Sequence, residues 1–140
     1  DPFHILLPKD HPLAGEGAVE LKRIEGETFI GIAPNRFIGA IIDQALETFQ
    51  IHVRRCIYSD DPLMIRNLVE RRLGLAILPE FTLRDVDKQN ICELSILDPF
   101  PSLHLVLSWK PEAYQPEPVR QFRRFTIEYF RQMVEWGAVR

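Results

Sequence analysis

Short unbroken apolar runs alternate along this chain with longer stretches in which apolar residues recur every three or four positions. The first pattern predicts buried strands and the second predicts amphipathic helices. The most legible stretch is 68–80. Leu68, Val69 and Leu73 fall at helical spacing, with Glu70, Arg71 and Arg72 on the wet side. Gly74 is expected to close this helix, because glycine enters the left-handed C-cap conformation at little cost. Leu75 to Leu78 is too short for a helix, and its continuous apolarity suits a strand covered on both faces. Pro79 cannot donate to a sheet ladder, so the strand is expected to stop there.

The same reading extends to the rest of the chain. Strands are predicted over 3–8, 28–32, 52–58, 91–97 (an edge strand) and 103–109. A helical turn over 19–24 ends near Gly26. A helix from Phe37 to about Phe49 carries Phe37, Ile38, Ile41, Ile42, Ala45, Leu46 and Phe49 on one apolar stripe, with Asn35 as its expected N-cap. A second helix starts with Asp61 as cap and Pro62 at the first helical position. Past Pro79 come a short helix through Leu83, a polar turn over 85–90 and a proline-bearing linker over 110–118. The chain closes with a long helix from about Glu117 to Trp136. Strand, helix, strand, helix, strand, helix, strand is the alternation of an α/β, doubly wound Rossmann-like sheet of about five strands. Such sheets bind ligands outside the carboxyl ends of their strands.

Composition narrows the function more than it changes the fold. With 140 residues, 46% of them apolar, one core is expected. A net charge of -3 gives no basic footprint for nucleic acid. Charges or prolines interrupt every apolar run, so no membrane span and no membrane partner is expected. Cys56 and Cys92 stand alone, 36 residues apart. Both are expected to be buried and reduced in a cytoplasmic protein. The first residues do not read as a signal segment. The chain opens inside a strand, so it is expected to be a fragment of a longer one. His4, His11, His52 and His104 are not at metal-ligand spacing. With no glycine-rich phosphate loop and no nucleophile motif, neither a catalytic residue, a metal nor a cofactor is expected.

Several of these motifs resemble a known family. Leu7-Pro8-Lys9-Asp10-His11-Pro12-Leu13-Ala14 matches its pattern, as do Phe29-Ile30 before a helix and Leu68-Val69 through Gly74-Leu75-Ala76-Ile77-Leu78-Pro79-Glu80. A strand ending in Trp109 and a closing helix containing Phe122 complete it. On these residues the chain resembles the C-terminal part of the effector-binding domain of a LysR-type transcriptional regulator. The resemblance implies a fold like the type 2 periplasmic binding proteins, with a small-molecule inducer between two subdomains. Residues 1–109 would form the second subdomain with both crossing strands, 3–8 and 103–109. Residues 110–140 would supply a linker and a helix that packs on the first subdomain. DNA would be bound only through an N-terminal domain upstream of Asp1. A solute-binding protein of the same fold, and an enzyme of the related aromatic-acid dehydratase type, are the alternatives.

The inducer site is expected at Ala33, Pro34, Asn35 and Arg36 and at Ser59, with Leu78 and Pro79 as an apolar wall. Unpaired N–H groups at the two helix starts favour an anion, and Arg36 could hold a carboxylate with two hydrogen bonds. Asp60 and Asp61 would repel an anion at the second helix, so a carboxylic acid should meet Asn35 and Arg36. Set against this, Asn35 and Asp61 also read as plain caps, Arg36 as a solvated surface arginine, and Ser59 as a turn residue. On the closing helix, Val119, Phe122, Phe125, Thr126, Tyr129, Phe130, Met133 and Trp136 form one apolar stripe. A homodimer or higher oligomer that buries this helix by self-association is therefore expected.

Overall fold

The computed structural model describes residues 1–83, 89–110 and 114–135, with side chains up to 132 in the closing helix. Most of the turn expected over 85–90, part of the linker, Trp136 and the Met133 side chain lie outside the described residues. The chain divides into two units, Pro2–Leu103 and His104–Arg140.

The first unit is built on strand β1 (Phe3–Pro8). It runs antiparallel between β5 (Ala76–Pro79) and β6 (Ile91–Ile96). The two-residue strand β2 (Ala18–Val19) pairs parallel with β6 on its outer side. Strand 91–97 is thus no bare edge, as the sequence pattern had suggested. Part of the turn expected over 19–24 is spent on β2, which leaves a 3₁₀ turn at Leu21–Ile24. The Asp98 carboxylate closes that turn by accepting the Leu21 N–H at 2.6 Å. Strands β3 (Thr28–Gly31) and β4 (Arg54–Tyr58) form a parallel pair with a register shift at Phe29/Ile30. A parallel bridge between Phe29 and Leu75 ties this pair to the start of β5.

Helices α1 (Phe37–Thr48) and α2 (Pro62–Glu70) pack against different hydrophobic clusters. One cluster joins Ile42 and Leu46 of α1 to Phe3, Ile5, Leu7, Phe29 and Ile77. The other joins Ile65 and Val69 of α2 to Leu6, Ile30, Ala76 and Leu78. Side chains of a strand alternate between faces, so neighbours such as Ile77 and Leu78 enter opposite clusters. This is why β5 is apolar at every position. Among the described residues, Ile32 alone packs against both clusters.

Both helices end in the same way, and not as the glycine pattern suggests. Helix α2 closes at Arg72, not Gly74: Arg72 takes φ 61°, and the Leu73 N–H reaches the Leu68 carbonyl at 3.1 Å. Helix α1 repeats the motif, with Gln50 at φ 57° and the Ile51 N–H on the Leu46 carbonyl at 2.8 Å. The bond from the residue after the left-handed one back to the last helical turn defines a Schellman closure. Gly74 serves another purpose. A Cβ on it would lie 2.7 Å from the Thr28 carbonyl oxygen, so only glycine lets β5 reach β3.

The second unit contains α3 (Glu117–Glu135). Residues 104–110 form no strand, although the apolar run Leu105-Val106-Leu107 and Trp109 predict one there. The Arg123 guanidinium lies 5.0 Å from the centre of the Trp109 ring. Its Nη1 also donates to Gln115 Oε1 at 2.9 Å. Phe122 and Phe125 are each 65% exposed, and Val119, Tyr129 and Phe130 are exposed beside them.

Candidate functional site

Strands β3 and β4 are parallel, so their carboxyl ends open on the same side, at Gly31 and Tyr58. Residues 32–36 lead from one into α1 and residues 59–61 from the other into α2. The Ser59 N–H donates to the Gly31 carbonyl at 3.0 Å, which holds the two exits together. A side-chain bond crosses between the loops: Arg36 Nε donates to Asp60 Oδ2 at 2.7 Å. The pair is open to solvent, with the two side chains 62% and 44% exposed. The structure therefore brings Ala33, Pro34, Asn35, Arg36 and Ser59 together at one end of the parallel pair.

The local chemistry differs from the sequence expectation in three ways. Asn35 is not the cap of α1. Arg36 occupies that position in an extended conformation, and no side chain accepts from the first turn. Asp61 does cap α2, its Oδ1 accepting the Leu63 N–H at 2.9 Å, while Ser59 Oγ accepts the Asp61 N–H at 3.2 Å. Second, Asp60 is paired with Arg36, so it offsets that positive charge directly. Third, Leu78 is 0% exposed and lies within the α2 cluster, where β5 turns it away from solvent. Pro79 is buried as well, and its carbonyl accepts from Thr82 Oγ1 at 2.7 Å.

Exposed apolar surface near the loops comes from Phe37, which the helical pattern places on the apolar stripe of α1, and from Leu63 and Met64, which that pattern does not single out. Phe37, at the first position of α1, is 74% exposed, and Leu63 and Met64 in the first turn of α2 are also exposed. Tyr58 lies over Gly31, where a Cβ would come within 3.1 Å of its ring. Gly39 was also missed, because the helical periodicity treats it as one more position on the buried face. A Cβ on Gly39 would fall 2.3 Å from the Ala33 carbonyl oxygen. The first turn of α1 can therefore sit directly against the loop. The sequence signal was available: a glycine near the start of a helix marks a close backbone approach.

Elsewhere the histidines are distributed over separate contacts. His4 Nε2 lies 4.0 Å from Glu80 and His11 Nε2 lies 3.7 Å from Glu27. Among the described residues no group of three histidines, cysteines or acids is arranged to hold a metal. The cysteines are free, and Cys56 is exposed, not buried, because it lies on the open side of β4; Cys92 is half-buried. No helix among the described residues is long and apolar enough to cross a membrane.

The family model described as LysR substrate binding domain matches residues 1–131. The chain belongs to that family. It is 28% identical over 123 residues to the regulatory protein NocR of Agrobacterium tumefaciens, covering 88% of this chain and 41% of NocR. It is 23% identical over 126 residues to an HTH-type transcriptional regulator, YybE, of Bacillus subtilis, covering 90% of this chain and 42% of that protein. The chain thus spans about two fifths of the length of these curated relatives. Among solved structures, a putative LysR family regulator from Pseudomonas aeruginosa aligns with a TM-score of 0.78 at 20% identity, over 92% of this chain and 45% of the other. The effector-binding domain of QuiR in complex with shikimate aligns with a TM-score of 0.73 at 19% identity, over 94% of this chain and 62% of that one.

Proposed function

We propose that this chain is the ligand-sensing part of a bacterial LysR-type transcriptional regulator, and that a small-molecule effector binds at the carboxyl ends of β3 and β4. Membership of the substrate-binding family is the observation that carries this reading. It is supported by structures of the same fold that hold shikimate in QuiR, 2-PG in CcmR and benzoate in BenM. Ala33, Pro34, Asn35, Arg36 and Ser59 are the proposed contacts. Phe37 supplies the exposed apolar surface that the buried Leu78 and Pro79 side chains do not. The chemistry favours a ligand with an acidic group, which Arg36 and the uncapped N–H groups of α1 would hold. Binding would act through a difference in affinity between two conformations, altering DNA binding by the whole regulator.

In this reading the protein works in the cytoplasm as a regulator and not as an enzyme, and DNA contacts come from a domain outside this chain. The regulator acts as a homodimer or larger oligomer, with α3 contributing its exposed aromatic face. The test is a thermal-shift screen of small acids on the full-length protein, repeated with Arg36→Ala. An acid that stabilises the wild type and not the variant supports the site. Equal stabilisation of both places the acid elsewhere.

A further inference from the structure

The Arg36–Asp60 pair gives the proposed site a property that a simple acid-binding pocket lacks. The structure engages the Nε side of the guanidinium with Asp60. Its Nη edge has no protein partner among the described residues, so it is open to a second carboxylate in the two-bond geometry that guanidinium favours. A ligand carboxylate placed there would lie beside Asp60, with Asp61 on the next residue. One cation would then face two carboxylates, since Asp61 is committed to capping α2. The two carboxylates would repel each other across the shared guanidinium. A ligand that instead displaced Asp60 from Arg36 would leave the Asp60 carboxylate without a cation. Either route is unfavourable for a plain anion. Both become favourable if the ligand brings its own cation, because an ammonium can pair with Asp60 as the ligand's carboxylate pairs with Arg36.

Resting on the cleft proposed above, we infer that the effector is a zwitterionic acid, an amino acid or close derivative, and that Asp60 selects it against simple acids. Asp60 is then a specificity residue: it recognises the ligand's ammonium and penalises ligands without one. This exchange replaces one ion pair with two and leaves the net charge of the site unchanged, so the site can close on ligand with no uncompensated charge.

The experiment compares matched pairs that differ by one amino group: alanine with propionate, aspartate with succinate, and phenylalanine with 3-phenylpropionate. Calorimetric titrations are run on the full-length wild type, Asp60→Asn and Arg36→Ala, with circular dichroism to confirm folding. In the best-binding pair, the amino member should bind wild type about tenfold more tightly, the worth of one charge-assisted hydrogen bond. Asp60→Asn should bring the two members within about twofold, weakening the amino acid and improving the plain acid. Arg36→Ala should weaken both. If the plain acid is preferred, or the ratio is unchanged in Asp60→Asn, while Arg36→Ala still weakens binding, the zwitterion inference is overturned and the cleft stands. If Arg36→Ala has no effect, or no pair binds, the placement of the cleft falls and the inference with it.

Discussion

Gly39 lies directly beneath the carbonyl of Ala33, with no room for a side chain between them: a Cβ would meet that oxygen at 2.3 Å and the Ile32 oxygen at 2.8 Å. Both opposing atoms are backbone, so neither can rotate away. Gly39→Ala must push the loop off the helix start. It is expected to cost about 1–3 kcal/mol, as overpacking usually does, and to weaken effector binding further through displaced Ala33 and Pro34. Chemical denaturation and ligand titration of the same variant test this. A denaturation midpoint equal to that of the wild type would show that the loop yields freely.

The caps of the two helices predict opposite outcomes for two similar residues. Asp61→Ala removes the side chain that accepts the Leu63 N–H, and should lower stability by about 1 kcal/mol. Asn35→Ala removes no cap, because Arg36 holds that position. Its stability should stay within about 0.5 kcal/mol of wild type, whereas the affinity for effector should fall. Thermal unfolding of both variants separates the roles. An Asn35→Ala variant as unstable as Asp61→Ala would restore the plain capping role to Asn35.

Gln50 occupies left-handed backbone at φ 57°, in a position glycine usually takes. A side chain there costs about 1–2 kcal/mol, part of which is returned through the greater unfolded-state freedom of glycine. Gln50→Gly is expected to stabilise by about 0.5–1 kcal/mol and to raise the melting temperature. Unchanged or lower melting would mean that the Schellman closure of α1 is not under strain.

The Arg72 guanidinium hydrogen-bonded to Asp10 holds that carboxyl below its ordinary value of 3.8. The contribution of a depressed carboxylate is present above the unfolded value and is lost as pH falls through the lower folded value. The stability gap between wild type and Asp10→Asn should therefore be constant above about pH 5 and close as pH drops below the ordinary aspartate range. Both side chains are exposed, so added salt should shrink the gap too. A gap that widened in acid would contradict the sign.

The α3 aromatics predict association. Each aromatic that moves from water into a contact gains about 1.5–3 kcal/mol when fully buried. Sedimentation of the protein should show an oligomer, and Phe122→Glu with Phe125→Glu should shift the mass toward monomer without changing helix content. A monomeric wild type at high concentration would remove α3 from the interface.

The sequence made the strands and helices of the first unit legible because their apolar residues report burial directly. Residues 75–78 read as a doubly covered strand, and the structure puts Ile77 and Leu78 in separate clusters. Other features depend on what lies opposite a residue, which periodicity does not encode. Arg72 and not Gly74 ends α2, since the glycine is demanded by the Thr28 backbone 46 positions earlier. Residues 104–110 have strand composition but no pairing partner among the described residues, and composition without a partner makes no ladder. At the candidate site, the loops could be located from strand ends. The Arg36–Asp60 bond could not, because it joins residues 24 apart whose loops meet only through parallel pairing.

Ile32 has a consequence beyond packing. It touches both clusters and is followed at once by Ala33, the first residue of the candidate loop. The two helices otherwise rest on separate sets of side chains, so substitutions behind α1 and behind α2 can accumulate independently. Their effects converge at Ile32. A lineage could therefore shift the candidate loops from either side of the sheet without altering a residue in them. Variation of effector preference in close homologues should be sought behind the loops as well as in them.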